Sequence, residues 1–312
     1  MPPPAAATSS KQACTEPGKK VLSTYGFTSC ADQLKADIVG TELNNIVTCS
    51  KAVDDLMEGG IPISQITEIT SKPGAGKSLM CLQIAVDAHI PISYGGVGGE
   101  TLYIDCDGRF SPTRCNDIAQ ATVDHLQYVS LIRDLPKEIA DAYDLKSVLS
   151  SIMVQYVPNY LAFFAVLHQI PDFLATHPKV KLIVIDSIAG VFRNYRTDYV
   201  RRSQLLISAQ QILLQIATRN KLAVVITNQT VTRFRFSQGK REVYFRPALG
   251  DSWGHAAFHR ILIEGEHVRR STKRVVTVQK SSIYKRSSAA FQITEDGVRA
   301  HNVYKYKIPA ES

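Results

Sequence analysis

The chain has 312 residues, 45% of them apolar, with a formal charge of +8 and a pI near 9.1. That is room for one large α/β domain or two modest ones around a substantial core. No apolar run approaches the roughly 18 residues of a membrane-spanning helix, and the basic balance admits a polyanionic partner without requiring one. Met1 to Ala7 has neither a basic start nor an apolar h-region, which excludes a secretory signal. Cysteines 14, 30, 49, 81, 106 and 115 show no CxxC pairing and no Cys/His metal spacing, so reduced thiols are expected.

In chain order, residues 1–24 are rich in Pro, Ala, Ser and Lys and read as a disordered tail. Residues 25–46 form a linker, 47–303 the compact core and 304–312 a second tail. Strands are expected at 66–70, 101–105, 153–157, 181–186, 222–227, 260–264, 274–279 and 290–293, and helices at 77–88, 113–130, 144–150, 159–175 and 203–219. In the last helix Leu205, Ala209, Ile212, Leu213 and Ile216 recur at helical spacing and predict one buried face. Such alternation predicts an α/β fold, a mainly parallel twisted sheet with helices on both faces. Strands without long helices between 260 and 293 predict an antiparallel C-terminal section.

The strand at 66–70 runs into Ser71-Lys72-Pro73-Gly74-Ala75-Gly76-Lys77-Ser78-Leu79, and a helix opens at Lys77. A glycine-rich turn between strand and helix points successive N–H groups and a helix dipole at an anion. Lys77 would reach the β/γ-phosphates of a nucleotide and Ser78 would ligate Mg²⁺. Ser71 stands where the pattern has its first glycine; a left-handed backbone there would cost about 1–2 kcal/mol.

Ligands of an open α/β sheet sit at the carboxyl ends of its strands. Lys181 to Asp186 brings a carboxylate to that edge, where Asp186 would hold Mg²⁺ through water; a turn-capping Asp is the alternative. The strand at 101–105 delivers Asp105 and Asp107, one of which would orient the water attacking a γ-phosphate. The strand at 222–227 ends in Asn228-Gln229, suited to sensing the γ-phosphate or simply to a turn. Two basic loops follow these strand ends. The first holds Arg193, Arg196, Arg201 and Arg202; the second holds Arg233, Arg235, Lys240, Arg241 and Arg246, interleaved with Phe234, Phe236, Tyr244 and Phe245. Cations for phosphates and rings for bases suit single-stranded nucleic acid. His255 has no nucleophile partner and reads as a loop anchor, and Arg269-Arg270 with Lys273-Arg274 as a solvated hairpin rather than an import signal.

This order of features resembles the RecA-type recombinase core and, within it, the paralogues of the eukaryotic strand-exchange recombinase, most of all those of the C type. The resemblance is carried by Ala52-Val53-Asp54-Asp55-Leu56, Ala85-Val86-Asp87 with Ile90-Pro91, Gly95 to Glu100, Pro171-Asp172-Phe173-Leu174, Leu222 to Gln229, and Pro247 to Ala257. It implies an ATP- and Mg²⁺-binding, DNA-dependent ATPase of homologous recombination, double-strand break repair and meiosis. Such a protein acts in the nucleus, with cytoplasm allowed, and assists recombinase filaments on single-stranded DNA within a hetero-oligomer of paralogues. Carried over by position, Gly74, Ala75, Gly76, Lys77, Ser78 and Leu79 hold phosphates, Arg114 stacks on adenine, Gln229 is the γ-phosphate switch, and the basic loops face DNA. Phe27-Thr28-Ser29-Cys30 resembles the family's Phe-x-x-Ala plug, with Phe27 and Cys30 at its ends. The family's water-activating Glu falls on Asp107, one methylene shorter, so slow hydrolysis is expected. The helical N-terminal domain of most relatives has no counterpart. A non-hydrolysing interaction subunit, a filament-forming recombinase and, more distantly, a ring helicase are the rival readings.

Overall fold

The computed structural model describes residues 45–133, 143–192, 195, 199–237, 240–249, 253, 258–265 and 272–301. Strands β1 (Asn45–Ile46) and β2 (Ile61–Pro62) pair antiparallel on either side of helix α1 (Lys51–Leu56). The main strands are β3 (Ile66–Ser71), β4 (Glu100–Asp105), β5 (Ile152–Tyr156), β6 (Val180–Asp186), β7 (Ala223–Ser237), β8 (Lys240–Pro247), β9 (His259–Gly265), β10 (Lys273–Lys280), β11 (Ser288–Thr294) and β12 (Gly297–Ala300). The further α-helices are α2 (Lys77–Asp87), α3 (Pro112–Arg133), α4 (Leu145–Ser150), α5 (Tyr160–Thr176), α6 (Ile188–Val191) and α7 (Tyr199–Asn220).

The main strands form one sheet ordered β12-β11-β10-β9-β3-β7-β6-β4-β5, with β8 pairing only β7. From β9 to β5 neighbours run parallel, and from β9 to β12 they run antiparallel, as the sequence pattern leads one to expect. Strands β3, β4, β5, β6 and β7 each serve two cores. On β6, Leu182 and Val184 pack with α1, α2, α3 and α4, whereas Ile183 and Ile185 pack with α5, α6 and α7. Near-continuous apolar runs in the parallel strands reflect burial on both faces. Asp144 and Ser147 close a capping box on α4, and Asn159 Oδ1 accepts from Ala162 N at 3.0 Å to start α5.

Two expectations need correction. Helix α7 begins at Tyr199, so Arg201 and Arg202 lie in its first turn rather than in a loop, and its buried face is Leu206, Ala209, Leu213, Ile216 and Ala217. Arg is a good helix former, and the apolar stripe beyond it carries the segment. Residues 230–246 are likewise not a loop. Strand β7 runs on to Ser237 and returns as β8, from Thr230↔Pro247 to Ser237↔Lys240. Their β-branched and aromatic content favours such a ribbon.

At the far end of α2 a buried polar cluster ties the C-terminal strand to this helix. Gln83 Oε1 accepts from Val298 N at 3.0 Å and Arg299 Nη1 at 3.2 Å, while Gln83 Nε2 donates to Asp87 Oδ1 at 2.9 Å. Cys49 Sγ donates to the same Asp87 oxygen at 3.2 Å. Burial pushes the Asp87 acid up to about 7, against the opposing pull of these hydrogen bonds and of Arg299. The folded state therefore keeps a proton that the unfolded chain releases near pH 4. Stability owed to the neutral acid is full below that pH and is lost as pH rises to about 7. Thermal melts between pH 5 and 8 should show a decline in Tm that Asp87→Asn flattens by a few degrees; identical slopes would contradict this account.

Candidate functional site

The turn after β3 is built by two glycines in left-handed conformations, Gly74 at φ 78° and Gly76 at φ 109°. Only glycine takes such angles without strain. Gly76 is also roofed by β11: an added Cβ would meet Ile293 Cδ1 at 2.3 Å. Ser71, by contrast, ends β3 in strand conformation and is not among the positive-φ residues, so replacing glycine there brings no left-handed strain.

Lys77 opens α2 and is buried. Its ammonium donates to Ser71 Oγ at 2.8 Å, Ser71 O at 3.1 Å and Lys72 O at 3.2 Å, which uses the donors a lysine has. Burial lowers its pKa from the ordinary value, and the carboxylates of Asp186 and Asp107 pull it back. Lysine and both carboxylates therefore share one electrostatic neighbourhood.

Asp186, 7% exposed at the end of β6, accepts from Tyr103 Oη at 2.9 Å through one oxygen and from Thr227 Oγ1 at 2.5 Å through the other. The two carboxylates after β4 have different tasks. Asp105 Oδ1 accepts from the N–H groups of Asp107, Gly108 and Arg109 at 2.8–3.2 Å, and Oδ2 from Phe110 N at 2.9 Å. Asp105 thus shapes the turn that presents Asp107. Asp107 Oδ2 accepts from Ser187 Oγ at 2.9 Å, and a Cβ on Gly190 would come within 2.4 Å of its other oxygen. Gln229 pairs in register with Ser71 across β3 and β7, and its carbonyl accepts from Ala248 N at 2.7 Å at the foot of the ribbon.

Among the described residues no three His, Cys, Asp or Glu side chains converge as metal ligands. Mg²⁺ is commonly held by one or two protein oxygens with phosphate and water completing its shell, and the hydroxyl of Ser78 with Asp186 fits that manner of binding. Arg114 stands in the first turn of α3, where its guanidinium donates to the carbonyls of Thr294 and Glu295 and lies 3.7 Å from Asp117. Arg233, Arg235, Lys240, Arg241 and Arg246 all belong to the β7–β8 ribbon, with Arg233 opposite Tyr244 and Arg235 opposite Glu242. Arg193, Arg196, Phe27, Cys30 and His255 lie outside the described residues.

Several participants carry no signal in sequence. Ser187, Thr227 and Tyr103 act by orienting carboxylates, and Arg274 Nε reaches Ala75 O at 3.2 Å from β10. The last belongs to the basic cluster expected to be solvated.

The sequence profile of the Rad51 family matches residues 40–133 and 132–301. The chain belongs to the Rad51 family. Among relatives within it, "DNA repair protein RAD51 homolog 3" of Cricetulus griseus is 36% identical over 256 residues, covering 81% of this chain and 68% of that protein. Its namesake in Dictyostelium discoideum is 36% identical across 82% of this chain and 65% of that protein. The chain thus spans about two thirds of the length of these two Rad51-family relatives. "DNA repair protein XRCC3 homolog" of Arabidopsis thaliana is 28% identical across 82% of this chain and 92% of that protein. For this Rad51-family chain, Asp105→Asn should cost roughly 1–3 kcal/mol, because one acceptor oxygen becomes an NH₂ that confronts a backbone N–H. Urea denaturation measures it, and a loss below about 0.5 kcal/mol would reject the turn-shaping role.

Proposed function

We propose that this chain is an ATP-dependent, single-stranded-DNA-binding recombinase paralogue that assists recombinase filaments in homologous recombination. It would work in the nucleus, in a hetero-oligomer with other paralogues. This is a Rad51-family paralogue of DNA repair and recombination with a RecA-like core. One observation carries the finer reading. Lys77, Asp107 and Asp186 share one electrostatic neighbourhood at the strand ends, beside the Ser71–Gln229 register that leads into the basic ribbon.

In this reading the backbone from Gly74 to Leu79 cradles phosphates, and Lys77 turns from Ser71 and Lys72 toward them. Ser78 and Asp186 hold Mg²⁺, which when bound neutralises charge developing on the phosphate oxygens. Asp107, oriented by Ser187, positions the attacking water, and Gln229 relates the γ-phosphate to the ribbon. Arg114 is proposed beside adenine. The basic residues of the ribbon, with Arg201 and Arg202 at the start of α7, would meet DNA phosphates. The shortness of Asp107 and its hydrogen bond to Ser187 favour a second reading, in which ATP binds without useful turnover.

ATP turnover with and without single-stranded DNA separates the two. DNA stimulates a slow wild-type rate, Lys77→Ala abolishes it, and Asp107→Glu raises it by roughly tenfold or more. ATP binding with wild type and both variants equally inactive would instead establish the non-hydrolysing reading.

A further inference from the structure

Glu68 lies in the middle of β3 with 0% exposure. Three elements converge on it. Oε1 accepts from Asn228 Nδ2 on β7 at 2.7 Å and from Trp253 Nε1 at 3.0 Å, and Oε2 pairs with Arg260 Nε on β9 at 2.6 Å. A carboxylate removed from water is tolerated only when paired and hydrogen-bonded in this way.

Two of these partners have a consequential neighbour. Asn228 precedes Gln229, whose carbonyl holds Ala248 at the foot of the ribbon. Trp253 follows the ribbon's returning strand by six residues in sequence, and it packs with Leu249 in the same core cluster. Glu68 itself is three residues before Ser71, the residue whose hydroxyl and carbonyl Lys77 holds. Among the described residues Asn228 Oδ1 and Arg260 Nη2 are buried and unpartnered, which leaves the network hydrogen-bonding capacity for a second arrangement.

We infer that Glu68 is a positioning residue that couples the nucleotide end of β3 to the basic ribbon through Asn228 and Trp253. The inference rests on the proposal that ATP binds at Lys77 and DNA at the ribbon. When Lys77 leaves Ser71 for a phosphate, the constraint on β3 changes three residues from the carboxylate that anchors both Asn228 and the indole. Trp253 is the chain's one tryptophan, so its fluorescence reports this joint without labelling.

The test measures tryptophan emission and oligothymidine affinity of the full chain, without nucleotide and with a non-hydrolysable ATP analogue and Mg²⁺. Calorimetry measures analogue binding independently. Wild type should show an emission shift and tighten on DNA by about fivefold or more. Glu68→Gln should bind the analogue within about twofold of wild type, lose most of the shift and bind DNA with little nucleotide dependence. Trp253→Phe keeps the ring and loses the donor; it should lose the same dependence, and it carries the test if Glu68→Gln fails to fold. A folded variant of either kind with the wild-type DNA response would overturn the coupling alone, as would a wild type that binds the analogue with neither response. A wild type that binds no analogue would overturn the proposed function with it.

Discussion

An ammonium group folded back onto its own turn sets the terms for this end of the sheet. Lys77 is buried, and its charge is held by the hydroxyl and carbonyl of Ser71 and the carbonyl of Lys72. Those acceptors come together only because Gly74 and Gly76 take left-handed conformations and α2 starts at once behind them. A phosphate would compete for the ammonium with uncharged oxygens, to which it is bound less strongly than to an anion. Serine in place of the first glycine adds one of the acceptors, so this departure from the family pattern bears on how readily the lysine is released.

Around that turn the sheet divides labour among chemically identical groups. Three aspartates reach the same edge, and their surroundings separate their roles. Asp105 is consumed by backbone amides, Asp186 is fixed by two hydroxyls, and Asp107 is steadied by Ser187 and by the missing side chain of Gly190. A parallel sheet makes this possible because β4 and β6 end side by side in register, with Asp105 opposite Asp186, while β7 runs past the same edge with Ile226 opposite Ile185.

Most of this arrangement was legible in the sequence, because burial on two faces writes strands as apolar runs and the glycine spacing marks the phosphate turn. The strands and helices that were expected fall within three residues of their bounds, apart from α7 and β7, whereas α1, α6 and β12 were not expected. Those exceptions share a cause. Basic composition reads as loop, whereas the period-two alternation of Arg233-Phe234-Arg235-Phe236 is a strand signal, and arginines extend a helix that a buried stripe already specifies. The residues alone left Asp105 and Asp107 open and only the resemblance pointed to Asp107, since the difference lies in which carboxylate folds back onto its own turn. Glu68 was illegible: an acid inside an apolar strand announces burial without naming the asparagine, indole and guanidinium that arrive from residues 228, 253 and 260.

The roof over the phosphate turn has a consequence for biosynthesis. Ile293 covers Gly76, the carbonyls of Thr294 and Glu295 hold Arg114, and Val298 and Arg299 hold Gln83 from a sequence distance of more than 200 residues. β3 also needs β7 and β9 on its flanks, both made far later. As the chain leaves the ribosome, the phosphate turn is therefore among the first parts of the core synthesised and among the last completed. Until the final strands emerge, its helix and central strand have unpaired edges and exposed apolar faces, the condition in which nascent chains aggregate or engage chaperones. Translation that stopped before β12 would leave every residue of the glycine turn in place and remove the hold of Val298 and Arg299 on Gln83.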